Sequence, residues 1–196
     1  MKLARLVSAG VVSALLVLAA PTIVAQTSTW KSDPAHCQVD FSILHLGITN
    51  VRGHFGPVHA TIVTDEQDVT KSTVNATIDL TGIDTGVTAR DNDLKSDHFF
   101  DVGKYPTATF ASTSIAKDGS GLTVKGNLTI RGVTRPVVLD VSGPTGPVQG
   151  MDRKMHEGFE ATTTIHRTDF GIAPGMPTAM VGDDVKLTID LDLAKQ

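Results

Sequence analysis

From Val39 onward, apolar and polar residues alternate with a period of two, the pattern of strands that bury one face. Val39, Phe41 and Ile43 share one side while Gln38, Asp40 and Ser42 share the other. Val74, Ala76, Ile78 and Leu80 repeat the pattern against Asn75, Thr77 and Asp79. Further rows are Leu122, Val124, Leu128 and Ile130; Val137, Leu139 and Val141; Phe159, Ala161, Thr163 and Ile165; and Val185 through Leu193 at every second position. Asp118-Gly119-Ser120-Gly121 and Arg131-Gly132-Val133-Thr134 mark hairpins, and Gly143-Pro144-Thr145-Gly146-Pro147 a longer loop. The fold class is therefore all-β. The pattern predicts an antiparallel up-and-down barrel of roughly eight strands, with the last strand pairing back to the first so that no edge is left open. One interval breaks the alternation: "TARDNDLKS", Thr88 to Ser96, predicts a short helix with Thr88 as cap and Asp91 three positions on.

Ahead of this region lies a different pattern. Lys2 and Arg5 precede an apolar run from Leu6 to Ala20, then Pro21 and the small-residue site Ile23-Val24-Ala25. This reads as a secretory signal peptide over residues 1–25, because the run is shorter than the ~20 residues that span a bilayer. Cleavage would leave one domain, residues 26–196, with 15 basic residues against 21 acidic, a formal charge of −6. That balance disfavours nucleic acid as a partner. Without a membrane anchor after cleavage, the expected product is soluble and exported, periplasmic or secreted. The single cysteine, Cys37, has no internal partner and reads as a compact, half-buried side chain, with an intermolecular or reactive thiol as the alternative.

The residues that carry chemistry are sparse. There is no G-x-S-x-G elbow, no H-E-x-x-H and no phosphate-binding loop, so nothing points to an enzyme or a cofactor. The histidine pairs 36/45 and 54/59 differ by odd numbers, which puts them on opposite strand faces, and no metal set is expected. His45 stays in phase with Phe41 and Ile43; Arg167 stays in phase with Phe159 and Ile165, with Asp169 two further on. A closed barrel would bury both. Either Arg167 pairs with Asp169 or with backbone to plug one end, or His45 or Arg167 anchors the polar head of an apolar ligand. Ala76, Gly126, Ala161 and Thr163 are small, leaving room between Phe41, Phe110 and Phe159 in a barrel just wide enough for side chains or one ligand.

Phe99 and Phe100 stand where the helix hands the chain on to the strand ending in Phe110. They either line an entrance as a lid or staple the helix to the rim, and Leu94 on the same segment shares that position. Met176 and Met180, in the Gly/Pro-rich "GIAPGMPTAMVGDD", suit an adaptable entrance or pack passively on it. Leu46 and Phe55, on either side of the early "GITNVRGH" segment, complete the candidate wall of the tunnel.

Five stretches, "WKSDPAHCQVDFSILHLGITNVRGHFG", "ARDNDLKSDHFFDVGKYPTATF", "GNLTIRGVTRPVVLDV", "GFEATTTIHRTDFGI" and "VGDDVKLTIDLDL", together resemble the YceI-like family of exported polyisoprenoid-binding proteins. The resemblance implies a lipocalin-like barrel with an apolar tunnel that holds the chain of an isoprenoid quinone or polyprenyl-type lipid, an extracytoplasmic location, and no catalysis. His45 matches the family's histidine after its first strand, and Arg167, Asp169 and Phe170 match its R-x-D-F segment. Cys37 stands where the family has serine in D-P-x-H-S, which questions the hydroxyl's hydrogen bond. Other cargo, such as a fatty amide or lipophilic drug, fits the same residues, as does a filled barrel that acts through its surface in stress or partner binding. A homodimer is compatible with the pattern but no residue demands it.

Overall fold

The computed structural model describes residues 26–196; the expected signal peptide lies outside them. Ten strands form one antiparallel sheet: β1 (Thr27–Ser32), β2 (Gln38–His45), β3 (Thr49–His54), β4 (Val58–Asp65), β5 (Thr73–Asp79), β6 (Thr107–Asp118), β7 (Gly121–Ile130), β8 (Val133–Gln149), β9 (Met155–His166) and β10 (Val181–Lys195). One helix, α1 (Thr88–Lys95), joins β5 to β6. The order β1-β4-β5-β6-β7-β8-β9-β10 closes through β1–β10 pairing into an eight-stranded barrel.

Strands β4 to β10 run up and down as the alternation predicts, whereas the beginning of the chain is more elaborate. β10 has 15 residues, long enough to hold two partners in series on one edge: Val181 to Asp190 pairs with β2, and Leu193 to Lys195 with β1. The β2–β3 hairpin thus extends the wall at one end, where His54 and Asp84 exchange backbone hydrogen bonds of 2.9 and 3.1 Å. That end also carries α1, the β7–β8 turn and the loop before β10. The opposite end carries the Val69–Lys71 3₁₀ turn between β4 and β5, the β6–β7 and β8–β9 turns, and the C-terminus.

Both predicted hairpins form. Arg131 and Gly132 adopt φ of 51° and 73°, the left-handed pair that a two-residue turn needs to follow the strand twist. Residues 143–147 do not form a loop. β8 runs through them, and its ladder to β9 absorbs the extra residues as register shifts between Ser142 and Thr145 and between Thr145 and Val148. The helix occupies the expected interval, but its N-cap is Val87, without a side-chain cap bond. Asp91 reaches back instead to Thr85, accepting from its amide at 2.9 Å and its hydroxyl at 2.5 Å. Phe110 lies near the start of β6, not at the end of a strand.

The core is the barrel interior, where Val39, Val58, Leu80, Ile83, Phe170 and Leu193 are nearly or fully buried. Gly126 has a role other than leaving space. The Phe110 ring lies against its Cα, so the room that glycine provides is already taken. Gly53 seats Phe41 in the same way.

Candidate functional site

The alternating strand faces enclose two apolar chambers that follow one another along the barrel. The larger, about 240 Å³, is walled by Val39, Val74, Ala76, Phe110, Val124, Phe159, Ala161, Thr163 and Leu191, among others. The smaller, about 90 Å³, is walled by Phe41, Ile43, Phe55, Leu94, Phe99, Phe100, Ile165 and the Arg167 side chain. Ile78, Leu128 and Leu187 border both and form the waist between them. Together the volumes reach the lower end of the ~300–1,000 Å³ range of small-molecule sites. A single row on β9 traces the whole path: Phe159, Ala161 and Thr163 line the large chamber, then Ile165 and Arg167 the small one.

The small chamber is roofed by the segment after α1. Phe99 is 8% exposed, and Phe100 meets Phe55 edge-on at 5.7 Å, while Phe55 in turn meets Phe41 at 5.2 Å. The roof is tied down by backbone. Ala173 N–H donates to His98 at 3.0 Å, and Arg131 Nη2 donates to the Asp97 carbonyl at 2.7 Å while its Nη1 donates to that of Gly171. Leu94, Phe99 and Phe100 therefore combine the two roles the sequence left open, since these side chains line the chamber and pack the helix segment against the barrel core.

Arg167 is 2% exposed and opens a 3₁₀ turn, Arg167–Phe170, at the end of β9. Its guanidinium donates only to backbone carbonyls: Nε to Gly182 at 3.0 Å, Nη1 to Ile172 at 3.0 Å and Ala173 at 2.6 Å, and Nη2 to Met176 at 2.8 Å and Val181 at 3.0 Å. All five donors are committed. Asp169 points to solvent and takes no part, so of the two pairings considered the backbone one forms. The charge is balanced by carbonyl dipoles of the loop after the 3₁₀ turn and of the first two residues of β10, where the ladder to β2 is irregular, and the arginine plugs the tunnel end with no donor left for a ligand head.

Other expected wall residues lie elsewhere. His45 is only half-buried at the last pair of β2, opposite Thr49 and Val181, and borders neither chamber. Its parity is right, but it closes the end of β2, in the hairpin that extends the wall beyond the eight closed strands. Leu46 and Met180 are 50% and 51% exposed on the rim, and Leu46 sits in the β2–β3 turn at φ 53°. Met176 packs on the core and contributes its carbonyl to Arg167, while Phe170, 1% exposed, belongs to the core beneath the 3₁₀ turn. Arg131 was legible only as a turn residue. Its role in tying the roof to the Gly171 loop has no sequence signal beyond being a long donor in a turn.

At the other end Glu157 borders the large chamber with Thr64, Val69, Ser72 and Pro144. Burial pushes its carboxyl up from the ordinary glutamate range, offset by Lys195 and reinforced by Glu66. Glu157 shares the phase of Phe159 on β9, the signal by which the sequence could have placed it.

On the outside, Cys37 is half-buried ahead of β2. Its thiol donates to the Asp192 carbonyl and accepts from the Asp192 amide, both at 3.3 Å, so it makes the backbone contacts open to a serine hydroxyl, and burial pushes the thiol up. Nearby, Asp33, His36 and Asp192 bring three ligand atoms within 4.8 Å of one another, a grouping that odd spacing along the chain hid. His36 and Asp33 are already paired at 2.9 Å on the exposed rim.

The comparisons with known proteins agree with this architecture. Residues 30–193 match the YceI-like domain model. Protein YceI of Escherichia coli O6:H1 is 36% identical over 183 residues, 92% of this chain and 94% of that protein. The crystal structure of the Campylobacter jejuni YCEI protein, 34% identical, superposes with a TM-score of 0.69 over 79% of this chain and 90% of its own. A polyisoprenoid binding domain from Saccharophagus degradans shares the fold at 15% identity, with a TM-score of 0.62 over 85% of this chain and 98% of its own. With the eight-stranded barrel, its closed order and nearly the whole described chain accounted for by one domain model, this protein belongs to the YceI-like domain family.

Proposed function

We propose that the protein binds a long-chain isoprenoid lipid, of the quinone or polyprenyl type, in the two-chambered tunnel, and carries or sequesters it outside the cytoplasm. The observation that carries this reading is the predominantly apolar lining of both chambers, joined at a waist of three aliphatic residues and closed at one end by an arginine with no free donor. Such a wall offers an apolar chain burial and little else. At ~0.8 kcal/mol per buried methylene, about ten such groups supply ~8 kcal/mol, equivalent to a Kd of ~1 μM before ordering costs are subtracted. The absence of catalytic motifs from the sequence fits a binding protein. The fold neighbour described as polyisoprenoid binding supports the same use of this barrel, and the leader pattern of residues 1–25 supports export.

Native mass spectrometry of protein purified from its own host, followed by organic extraction, tests the proposal. The expected result is an isoprenoid adduct released by solvent, and its loss in Ala161→Phe, which fills the large chamber. A clean apo mass, unchanged after addition of isoprenoid quinones and prenyl alcohols, would overturn it in favour of a barrel that acts through its surface.

A further inference from the structure

The tunnel carries one ionisable side chain at each end, Glu157 on β9 and Arg167 one residue past its end, ten residues apart in sequence. At ~3.4 Å per residue they are separated by about 34 Å along the strand. They differ in how they are satisfied. Arg167 is saturated by five carbonyls. Glu157 accepts no hydrogen bond among the described residues, and Lys195, the cation whose field reaches it, donates its Nζ to Glu66 at 3.1 Å instead. The ladder explains why. Glu157 lies opposite Leu193 in the β9–β10 pairing, where amides are already used, and on the β8 side it falls at the register shift between Thr145 and Val148, where Gly146 and Pro147 bring no side-chain donor. The half-buried Glu157 carboxylate borders an apolar chamber with no protein donor among the described residues, so water solvates it, and a polar head that enters the chamber and donates would take the water's place.

We infer that Glu157 is the head-group residue of the tunnel: it selects an amphiphile whose apolar chain fills the two chambers and whose polar head donates hydrogen bonds, an alcohol, amide or amine, and it discriminates against phosphorylated heads. This rests on the lipid-binding reading above and narrows its ligand, since a prenyl alcohol or a reduced quinol can donate to Glu157 and an oxidised quinone, which only accepts, cannot; the orientation is chain toward Arg167 and head toward the Val69–Lys71 end. Thr64 and Ser72 border the same end with neutral hydroxyls, of which Ser72 already accepts from the Asp65 amide at 3.1 Å, so Glu157 is the one charged acceptor lining the chamber. The charged groups that bear on Glu157 are Lys195 from β10 and Glu66 from the turn after β4, and their mutual ion pair leaves the local field dominated by burial. His156, next in sequence, faces outward to Asp152 and Asp192.

The test uses four probes with one tail, geranylgeraniol, geranylgeranylamine, geranylgeranyl phosphate and the hydrocarbon itself, bound to the mature protein and to Glu157→Gln and measured by native mass spectrometry and calorimetry at pH 7.5. Wild type is expected to prefer the amine and alcohol over the phosphate by about tenfold or more, in line with one unit of like charge in a partly buried site. Glu157→Gln should lower the amine's advantage and raise phosphate binding by a similar factor, with thermal unfolding unchanged or improved. Acidification should rescue phosphate binding in wild type but not in Glu157→Gln, a readout that a merely structural role would not move. If every probe binds wild type and the ranking is the same in the variant, the head-group assignment fails while lipid binding stands. If no probe binds either protein, the lipid-binding reading itself fails.

Discussion

Replacing Arg167 separates a plug from an anchor. In Arg167→Met all five carbonyls of Ile172, Ala173, Met176, Val181 and Gly182 lose their donor at once. Each buried carbonyl left unpaired costs about 1–3 kcal/mol. Part is recovered because the loop can open to water and because a guanidinium no longer has to be desolvated, which leaves a net loss of about 3–5 kcal/mol, the usual scale for breaking a buried charged network. Arg167→Lys keeps at most three donors, so at least two carbonyls are orphaned and about 2–4 kcal/mol is lost. Urea unfolding followed by the fluorescence of Trp30, which is 5% exposed, reads both. With a slope of about 2 kcal/mol/M, the methionine variant's midpoint should fall by about 2 M and the lysine variant's by about 1–2 M. A methionine variant whose midpoint stays within about 0.3 M of wild type would refute the structural role. So would a lysine variant of wild-type stability that no longer takes up lipid, because that outcome would make Arg167 a ligand anchor after all.

Three further outcomes follow from the geometry. Gly126→Ala places a Cβ against the Phe110 ring and 2.6 Å from the Ala111 carbonyl oxygen; it should cost about 1–3 kcal/mol in chemical unfolding, as overpacked cores do, and a neutral result would mean that Phe110 has another rotamer available. His156 accepts or donates to Asp192 at 2.6 Å and Asp152 at 3.1 Å, and these carboxylates raise it above its ordinary value of 6.5. Because the folded state holds the proton more tightly, the stabilisation is complete below pH 6.5 and fades as pH rises through the raised value, so the stability gap between wild type and His156→Gln should narrow from pH 6 to pH 9; a gap independent of pH would contradict the pairing. Cys37→Ser keeps a donor and an acceptor for the Asp192 backbone and should change stability by less than about 1 kcal/mol, while in the wild type the half-buried thiol should react slowly with Ellman's reagent; rapid labelling of the folded protein would show that the site opens.

Period-two alternation carried the barrel, because a closed antiparallel sheet forces every strand to sort its side chains in and out. It placed Phe41, Ile43, Phe110, Phe159, Ile165 and Arg167 on the tunnel wall, since parity is a property of the backbone alone. Parity says which face a residue takes but not where the barrel stops. His45 therefore has the right phase but sits at the end of β2 in the added hairpin and borders neither chamber. The same blindness applies to residues 143–147, where glycine and proline signalled a loop but the long β8 absorbed them as bulges, a choice made by its neighbour β9 and not by local propensity. Gly126 looked like space because a sequence cannot show that a ring two strand positions away folds over a bare Cα.

The inverse case is Glu157, whose phase was legible and whose charge concealed it. A carboxylate in line with Phe159 and Ala161 reads as a strand end emerging into water, and only the closure of the barrel turns that position inward. The two ends of β9 then obey different chemistry for a topological reason. Where β9 ends at Arg167, the chain leaves the sheet for a 3₁₀ turn and an irregular loop, which has carbonyls to spare and can wrap a guanidinium. Where β9 carries Glu157, the chain is still in the ladder, whose amides are committed to neighbouring strands and cannot turn to a carboxylate. A barrel can therefore neutralise a buried cation with its own loops more readily than it can neutralise a buried anion with its own strands. The end at which the fold supplies no donor is the end where a ligand's polar atoms can replace water on the carboxylate, and the end at which the arginine is fully committed is where the tail of an apolar chain has only side chains to meet.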